Sequence, residues 1–436
     1  MPNLHAVSAC SSSPKKQMPH FSIVIAAFNS ASWIVPTVRS ALNQTYADYE
    51  IIVIGDGCTD QTGDVLTSNF GDAVRWKNLD RNSGGQSYPN NEGIRLSCGT
   101  HIAYLGHDDI WSPHHLERLA GVIRTQNPDF AVSGAVFHTP PGSRYYQITG
   151  MFDDPRTAER EFFPPSSFAH RRDVVDRIGP WRDPNQLRAP ADCEFLLRAA
   201  GLGCSFASTK TITVHKFAAG HRYLSYRFPS GLEQERMLDG LSAPGGEARV
   251  LDEIQKDIAD GADHPPIRYF NFNHFPAGDL HRKNRGTKGL EKAPLILVDK
   301  PRRLTVESFA AGLDWYPLER HPLHGPFRWS GPNPNPRYLL NVRLTGRFVL
   351  RIHVIAFAAD DLAESLKLDV DDWEVSFARE RNSAGTHILT VSPIAGPVDD
   401  GVVLRFRLPH CVRLLNDMQH RRAGLALGGI EVVPLP

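Results

Sequence analysis

The chain has 436 residues, and its 48 Lys plus Arg match its 48 Asp plus Glu, so the formal net charge is zero. That balance excludes a global field for nucleic acid or an anionic membrane, and any charged partner must be met locally. The length exceeds one domain of roughly 100–200 residues, and six cysteines without a CxxC pair argue against a disulfide framework or structural zinc and for a reducing cytoplasm.

Residues 1–20 are rich in Ser, Pro and Lys, lack an apolar stretch, and read as a disordered leader. The apolar runs Phe21 to Phe28 and Phe348 to Ala359 fall short of the roughly 20 residues that span a bilayer. A soluble protein is expected, at most peripheral at the inner face of a membrane. Residues 21–230 show short apolar runs alternating with helical patterns, as in a sheet with crossover helices. Phe21 to Phe28 reads as a buried strand, Ser32 to Asn43 as a helix turning Val35, Val38, Ala41 and Leu42 inward, and Glu50 to Ile54 as a second strand. A helix opens near Asp60, Ala73 to Leu79 is a third strand, Gln86 to Ser97 a helix and His101 to Leu105 a fourth strand, with another helix expected near Trp111. A helix carrying Asp192 turns Phe195, Leu196 and Ala199 inward, and Thr211 to Phe217 is a strand. The polar residues at Gly55-Asp56-Gly57 and Gly106-His107-Asp108-Asp109 therefore lie just past the carboxyl ends of strands. Ligands of open α/β sheets bind there.

Residues 231–300 lose this pattern, with Pro244-Gly-Gly246, Pro265-Pro266 and a basic stretch His281 to Lys288, and read as a connector packing on the first domain. The basic stretch suits a solvated loop, or a surface for a lipid-linked diphosphate. From 301 to 436 the period becomes two, as in Leu366/Leu368/Val370 and Val402/Leu404/Phe406/Leu408, which predicts a β-sandwich. Its Trp315, Trp329 and Trp373 suit either core packing or a sugar-stacking platform.

Phe21-Ser-Ile-Val-Ile-Ala-Ala-Phe-Asn29, Ser40-Ala-Leu-Asn-Gln-Thr45 and Glu50-Ile-Ile-Val-Ile-Gly-Asp-Gly-Cys-Thr-Asp60 resemble the opening of a family 2 glycosyltransferase. The resemblance continues through Asn82-Ser-Gly-Gly85, Asn91-Glu-Gly-Ile94, Ala103-Tyr-Leu-Gly-His-Asp-Asp109 and Ala191-Asp-Cys-Glu-Phe-Leu-Leu-Arg198, covering about residues 20–225. It implies an α/β GT-A fold, a Rossmann-like mixed sheet, ahead of the all-β sandwich. It also implies inverting transfer from a nucleotide-diphosphate sugar, such as a UDP-sugar, to a saccharide or lipid-linked saccharide acceptor in bacterial-type polysaccharide or glycoconjugate synthesis. Mn²⁺ or Mg²⁺ is the implied cofactor, and self-association stays open.

By the same resemblance, Ala27, Phe28, Asn29, Asp56, Asn82, Gly85, Asn91, His107 and Asp108 form the nucleotide-sugar site, with Asp56 on the base. Asp108 and His215 match metal contacts, His221 and Arg222 stand where phosphate donors fit, and Trp181 and Asp109 fall on the acceptor side. Asp192 matches the base that deprotonates the acceptor hydroxyl. Taken alone, each acid has an ordinary role: Asp-Gly in a turn, Asp108 and Asp109 as helix caps, Asp192 in a helix first turn. Gly55, Gly106, Asn90 and Ala191 replace residues usual in the family, so a rival reading is a non-catalytic relative that binds glycan or nucleotide as an assembly subunit.

Overall fold

The computed structural model describes residues 20–436 apart from 141–145, 218–221, 223, 228, 263, 265, 266, 270, 291–293, 307–313, 317, 415, 416 and 418–420. The expected leader as far as residue 19, and His221, lie outside the described residues.

The first half runs β1 (Phe21–Ala27), α1 (Ile34–Leu42), β2 (Tyr49–Gly55), α2 (Thr62–Phe70), β3 (Arg75–Asn78), α3 (Ser87–Leu96), β4 (His101–Tyr104) and β5 (Ile110–Trp111). It continues with α4 (His115–Gln126), β6 (Phe130–His138), β7 (Tyr146–Thr149), β8 (Phe168–Arg171), α5 (Val174–Ile178), α6 (Ala191–Gly201) and β9 (Phe206–Lys216). The strands make one mixed sheet in the order β3-β2-β1-β4-β8-β6-β9-β5, with β7 attached to β6. The pairs β1–β2, β1–β4 and β2–β3 are parallel, and β8 is antiparallel to both β4 and β6. This is the Rossmann-like sheet the sequence leads one to expect.

Strand β1 is apolar apart from Ser22 because both of its faces are covered. Phe21, Ile23 and Ile25 share a core with Ile34, Val38 and Val53, whereas Val24 joins Ile102, Phe130 and Phe195 on the other face. Helix α3 lies so close to β1 that a Cβ on Gly93 would stand 2.3 Å from Val24 Cγ1. The helix expected near Trp111 begins instead at His115. Ile110 and Trp111 are drawn into the sheet against His215 and Val214, and the Trp111 indole N–H donates to the Ser166 carbonyl at 2.7 Å.

The stretch read as a loose connector holds three helices, α7 (Leu232–Ser242), α8 (Gly246–Ala259) and α9 (Asp279–Lys288). Leu238 and Leu241 of α7 pack on Ile110 and Phe217. The basic stretch expected as a solvated loop is α9, a helix with no fully buried residue and hence no apolar period to betray it.

The remaining chain carries β10 (Ile296–Leu297), β11 (Arg302–Leu304), β12 (Glu319–His321), β13 (Gly325–Trp329), β14 (Arg337–Leu340), β15 (Val342–Arg343) and β16 (Phe348–Phe357). Then follow α10 (Asp360–Ser365), β17 (Lys367–Val370), β18 (Trp373–Val375), β19 (Phe377–Arg381), β20 (His387–Val391), β21 (Val402–Arg407), β22 (Val412–Arg413), β23 (Arg422–Ala423) and β24 (Leu425–Pro434). Two antiparallel sheets dominate, β12-β13-β24-β16-β20-β19 with β11 on β24, and β14-β21-β17-β18. Leu350, Ile352, Leu389 and Ile430 of one meet Leu340, Leu368, Leu404 and Phe406 of the other in a shared core. Trp315 belongs to that core, Trp329 is half-buried, and Trp373 is 79% exposed, so the three do not make one exposed platform.

Burial lowers the His101, His170 and His215 imidazoles to about 4 and His115 to about 3, from an ordinary 6.5. A folded pKa below the unfolded one means that these groups leave stability intact above 6.5 and erode it as pH falls toward their folded values. Each contributes a slope of about 1.4 kcal/mol per pH unit in that window. The urea midpoint should therefore fall from pH 6.5 to 4, and a flat profile would exclude this account. Gly93→Ala should cost about 1–3 kcal/mol through overpacking against Val24, measured by the same titration at pH 7.5.

Candidate active site

The parallel strands β1, β2 and β4 deliver their carboxyl ends to one rim. At the end of β2, Asp56 is 3% exposed. Its carboxylate accepts from Asn82 Nδ2 at 3.0 Å and from the Ser83 N–H at 2.9 Å, tying the 82–85 loop to the strand end. Gly55 has no room for a side chain: a Cβ there would lie 2.4 Å from both Asn78 Oδ1 and Trp76 Cη2. The acid usual in the family at this position would require the Asn78 and Trp76 side chains to move.

Past β4, the three polar residues of the 107–109 turn diverge. His107 Nδ1–H donates to the Ala26 carbonyl at 3.0 Å and its Nε2 shares a hydrogen bond with the Tyr226 hydroxyl at 2.9 Å. Asp109 points inward, fully buried, and its Oδ2 accepts from Lys216 Nζ at 2.7 Å and Ser166 Oγ at 2.5 Å. Burial opposes the Lys216 charge, yet Asp109 and Asp108 raise that ammonium above the ordinary lysine range. Asp108 points the other way. Burial works to raise its carboxyl, but His107, Lys216 and Lys288 outweigh this and hold it below the usual range, so it stays ionised. A Cβ on Gly106 would stand 2.6 Å from Asp109 Oδ2, so an acid there would be pressed against a carboxylate already in place.

Asp192 lies in the first turn of α6, its Oδ1 accepting from the Cys193 N–H at 2.9 Å. Helix α9 is anchored across the rim by Arg285 Nη1, which donates to the Gly84 carbonyl at 2.9 Å. Burial, together with Lys216 and Arg285, depresses the Lys288 ammonium against the pull of Asp108 and Asp192.

Together these elements enclose a cavity of about 430 Å³, within the size range of small-molecule sites. Of the residues named from sequence, Ala27, Phe28, Asp56, Asn82, Gly85, His107, Asp108 and Asp192 line it, as do Asn90, Gly106 and Ala191. Asn29, Asn91, Asp109, Trp181 and His215 do not line it. Asn29, at φ 42°, accepts from the Thr59 N–H at 2.8 Å and so shapes the loop behind the site. Asn91 and Trp181 clamp each other's elements through paired 2.9 Å bonds. Trp181 is 3% exposed and stacks on Phe195, which removes it from any acceptor surface. Asp109 leaves that role too, being committed to Lys216. His215 cannot serve as a metal contact, since its fully buried ring pairs with His138 Nε2 at 3.0 Å and with Ser112 Oγ at 3.4 Å. Arg222 is held by Glu233 through bonds of 2.8 and 2.6 Å, and the cavity is not lined by it.

The lining also includes Lys216, Tyr226, His281, Asn284, Arg285 and Lys288. Sequence reasoning missed Lys216 and Tyr226, and it weighed the stretch from His281 to Lys288 only as a solvated loop or a surface for a lipid-linked diphosphate, not as part of the donor cavity. Among the described residues no group of three or more His, Cys, Asp or Glu is arranged to hold a metal ion. Asp108 offers a single ionised carboxylate, which suits an octahedral cation that takes its other ligands from phosphate and water.

Residues 22–180 match the model of glycosyl transferase family 2. An uncharacterized glycosyltransferase of Nostoc sp. is 27% identical over 235 residues, covering 50% of this chain and 71% of that protein. The chondroitin synthase of Pasteurella multocida is 32% identical over 148 residues, 31% of this chain but only 15% of the synthase. Among solved structures, S. aureus TarS 1–349 in complex with UDP-GlcNAc aligns at 17% identity and a TM-score of 0.40, covering 56% of this chain and 73% of that one.

Lys216→Met would leave Asp109 buried without its counter-charge. It should destabilise the protein by about 3–5 kcal/mol in urea titration. Adding Asp109→Asn should restore a large part of that loss, since the double variant buries no lone charge.

Proposed function

We propose that this chain, whose residues 22–180 match the model of glycosyl transferase family 2, transfers a sugar from a nucleotide-diphosphate donor to an acceptor hydroxyl with inversion at the anomeric carbon. The observation that carries the reading is the meeting of Asp56, Asp108 and Asp192, from three distant stretches of sequence, with Lys216, Arg285 and Lys288 in one cavity. Asp56, fixed by Asn82 and Ser83, borders the base end. Lys216, Arg285 and Lys288 supply the charge that a diphosphate requires. Asp192 stands on the acceptor side.

In this mechanism Asp192 takes the proton of the acceptor hydroxyl as that oxygen bonds to the anomeric carbon. The bond from that carbon to the diphosphate oxygen breaks, and its electron pair leaves with the nucleoside diphosphate. The cationic side chains meet the charge that builds up there, in a site where burial strengthens their effect. A divalent ion, Mn²⁺ or Mg²⁺, would add to that neutralisation when bound. Asp108 would be its protein ligand.

Side chains fill the space an acid would need at Gly55 and Gly106. The gathering of the three acids with three cations in one cavity is what supports the enzyme over the non-catalytic relative. A saccharide or lipid-linked saccharide remains the acceptor class, in polysaccharide or glycoconjugate synthesis. Among the described residues no helix is long and apolar enough to cross a membrane.

Asp192→Asn should lower transfer about 100-fold or more while the thermal shift produced by UDP or GDP, with and without Mn²⁺, stays as in the parent. Transfer within a few-fold of the parent would remove Asp192 from the base role. Lys288→Met should have the opposite profile, with a smaller nucleotide-induced shift, because a ligand stabilises the native state only in proportion to its affinity.

A further inference from the structure

Helix α9 lies outside the 22–180 match, yet it builds one wall of the 430 Å³ cavity. His281, Asn284, Arg285 and Lys288 stand at i, i+3, i+4 and i+7, on one face of the helix, and all four line the cavity. Both ends of the helix are tied down. At its start the Gly278 N–H donates to the Leu187 carbonyl at 2.7 Å. At its end the Thr287 and Lys288 carbonyls accept from the Leu224 and Tyr226 N–H groups at 2.8 and 3.0 Å. Between them Arg285 is bonded to the Gly84 carbonyl at 2.9 Å. The polar face is therefore set before any ligand arrives.

Two ammonium groups on this cavity have donors to offer. Lys216 gives Asp109 a bond at 2.7 Å, but its side chain stays 18% exposed and an ammonium has three N–H groups. Lys288 is half-buried and lines the cavity, and among the described residues its Nζ has neither a hydrogen bond nor an ion pair. A cation that has lost part of its hydration without gaining a partner is unfavourable, and an anion beside it removes that cost.

The acids around these ammonium groups leave one carboxylate for a metal ion. Asp109 accepts at Oδ2 from Lys216 and Ser166 and at Oδ1 from the Phe217 N–H. Asp56 accepts at both oxygens, from Asn82 and from the Ser83 N–H. Asp108 remains, under the charge of Lys216 and Lys288. A divalent ion on it would gain one protein oxygen and lie under the repulsion of two like charges. Phosphate oxygens would instead meet the same ammonium groups through charge-assisted hydrogen bonds.

We propose that Lys216 and the cavity face of α9 hold the donor's diphosphate without a divalent ion, which strengthens the site when present but is not needed to form it. This step rests on the donor reading above and adds which groups hold the diphosphate unaided. Lys288, with no partner of its own, is the group whose charge the diphosphate recovers most directly.

Calorimetry on the full chain tests it, with UDP, GDP, CDP, dTDP and ADP each beside its monophosphate, in EDTA and again in Mn²⁺. In EDTA at least one diphosphate should bind about tenfold or more tightly than its monophosphate, the effect of one added charge-assisted bond. Mn²⁺ should tighten that diphosphate by less than about tenfold. Lys288→Met should remove the preference in EDTA without lowering the melting temperature, since its ammonium has no partner to lose. Diphosphate binding confined to Mn²⁺ or tightened by more than that factor, equal affinity for mono- and diphosphate in EDTA, or a preference unchanged in Lys288→Met would overturn the proposal. Binding confined to Mn²⁺ leaves the donor reading standing, whereas binding of none of the five diphosphates in either buffer strikes both.

Discussion

The ion pair between Asp109 and Lys216 is the constraint on which the site depends. Neither group is stable alone at this depth, because an unpaired charge in a low-dielectric interior loses its hydration without replacement. Their 2.7 Å contact, supported by Ser166 and by the Phe217 N–H at 3.3 Å, pins the turn after β4 to the end of β9. With Asp109 drawn inward, Asp108 is left facing the cavity. The same ammonium that neutralises Asp109 acts with His107 and Lys288 to hold the Asp108 carboxyl down, so one lysine bears on both neighbouring acids.

The remaining electrostatics follow from what that pair leaves room for. Asp109 fills the space that an acid at position 106 would occupy, and Trp76 with Asn78 fills the space at position 55. The cavity thus holds fewer carboxylates than the family pattern suggests. It gains cations in exchange, from Lys216 at the base and from Arg285 and Lys288 on α9. Burial, and after it the repulsion from Lys216 and Arg285, lowers Lys288, and the carboxylates of Asp108 and Asp192 act against that lowering. A diphosphate is the kind of ligand that would relieve the excess.

The sandwich is tied to this arrangement next to the site. Arg227, one residue beyond the Tyr226 that buttresses His107, donates to the Asp400 carbonyl at 2.9 Å. Gln234 of α7 holds the main chain of Asp108 from the same side of the molecule.

Sequence by itself determined the sheet, the β-rich second half and the three acids that come to line one cavity. Strands buried on both faces, such as β1, and strands buried on one face, such as β16 with its Phe348, Leu350, Ile352 and Val354 inward, carry an apolar period that needs no partner to be read. Asp56, Asp108 and Asp192 were legible because strand ends and a helix start expose them at fixed places in a known motif order. What only the tertiary structure decided is which side chains face the cavity. Neighbours His215 and Lys216 on β9 point to opposite faces, so a one-residue difference places the histidine in a dry core and the lysine in the site. Asp108 and Asp109 part in the same way, by the pull of a lysine over a hundred positions downstream. Helix α9 gave no period because its stabilising contacts are polar and reach distant loops, such as the bond from Arg285 to Gly84. Local pattern records burial; it does not record which distant charge a side chain will meet.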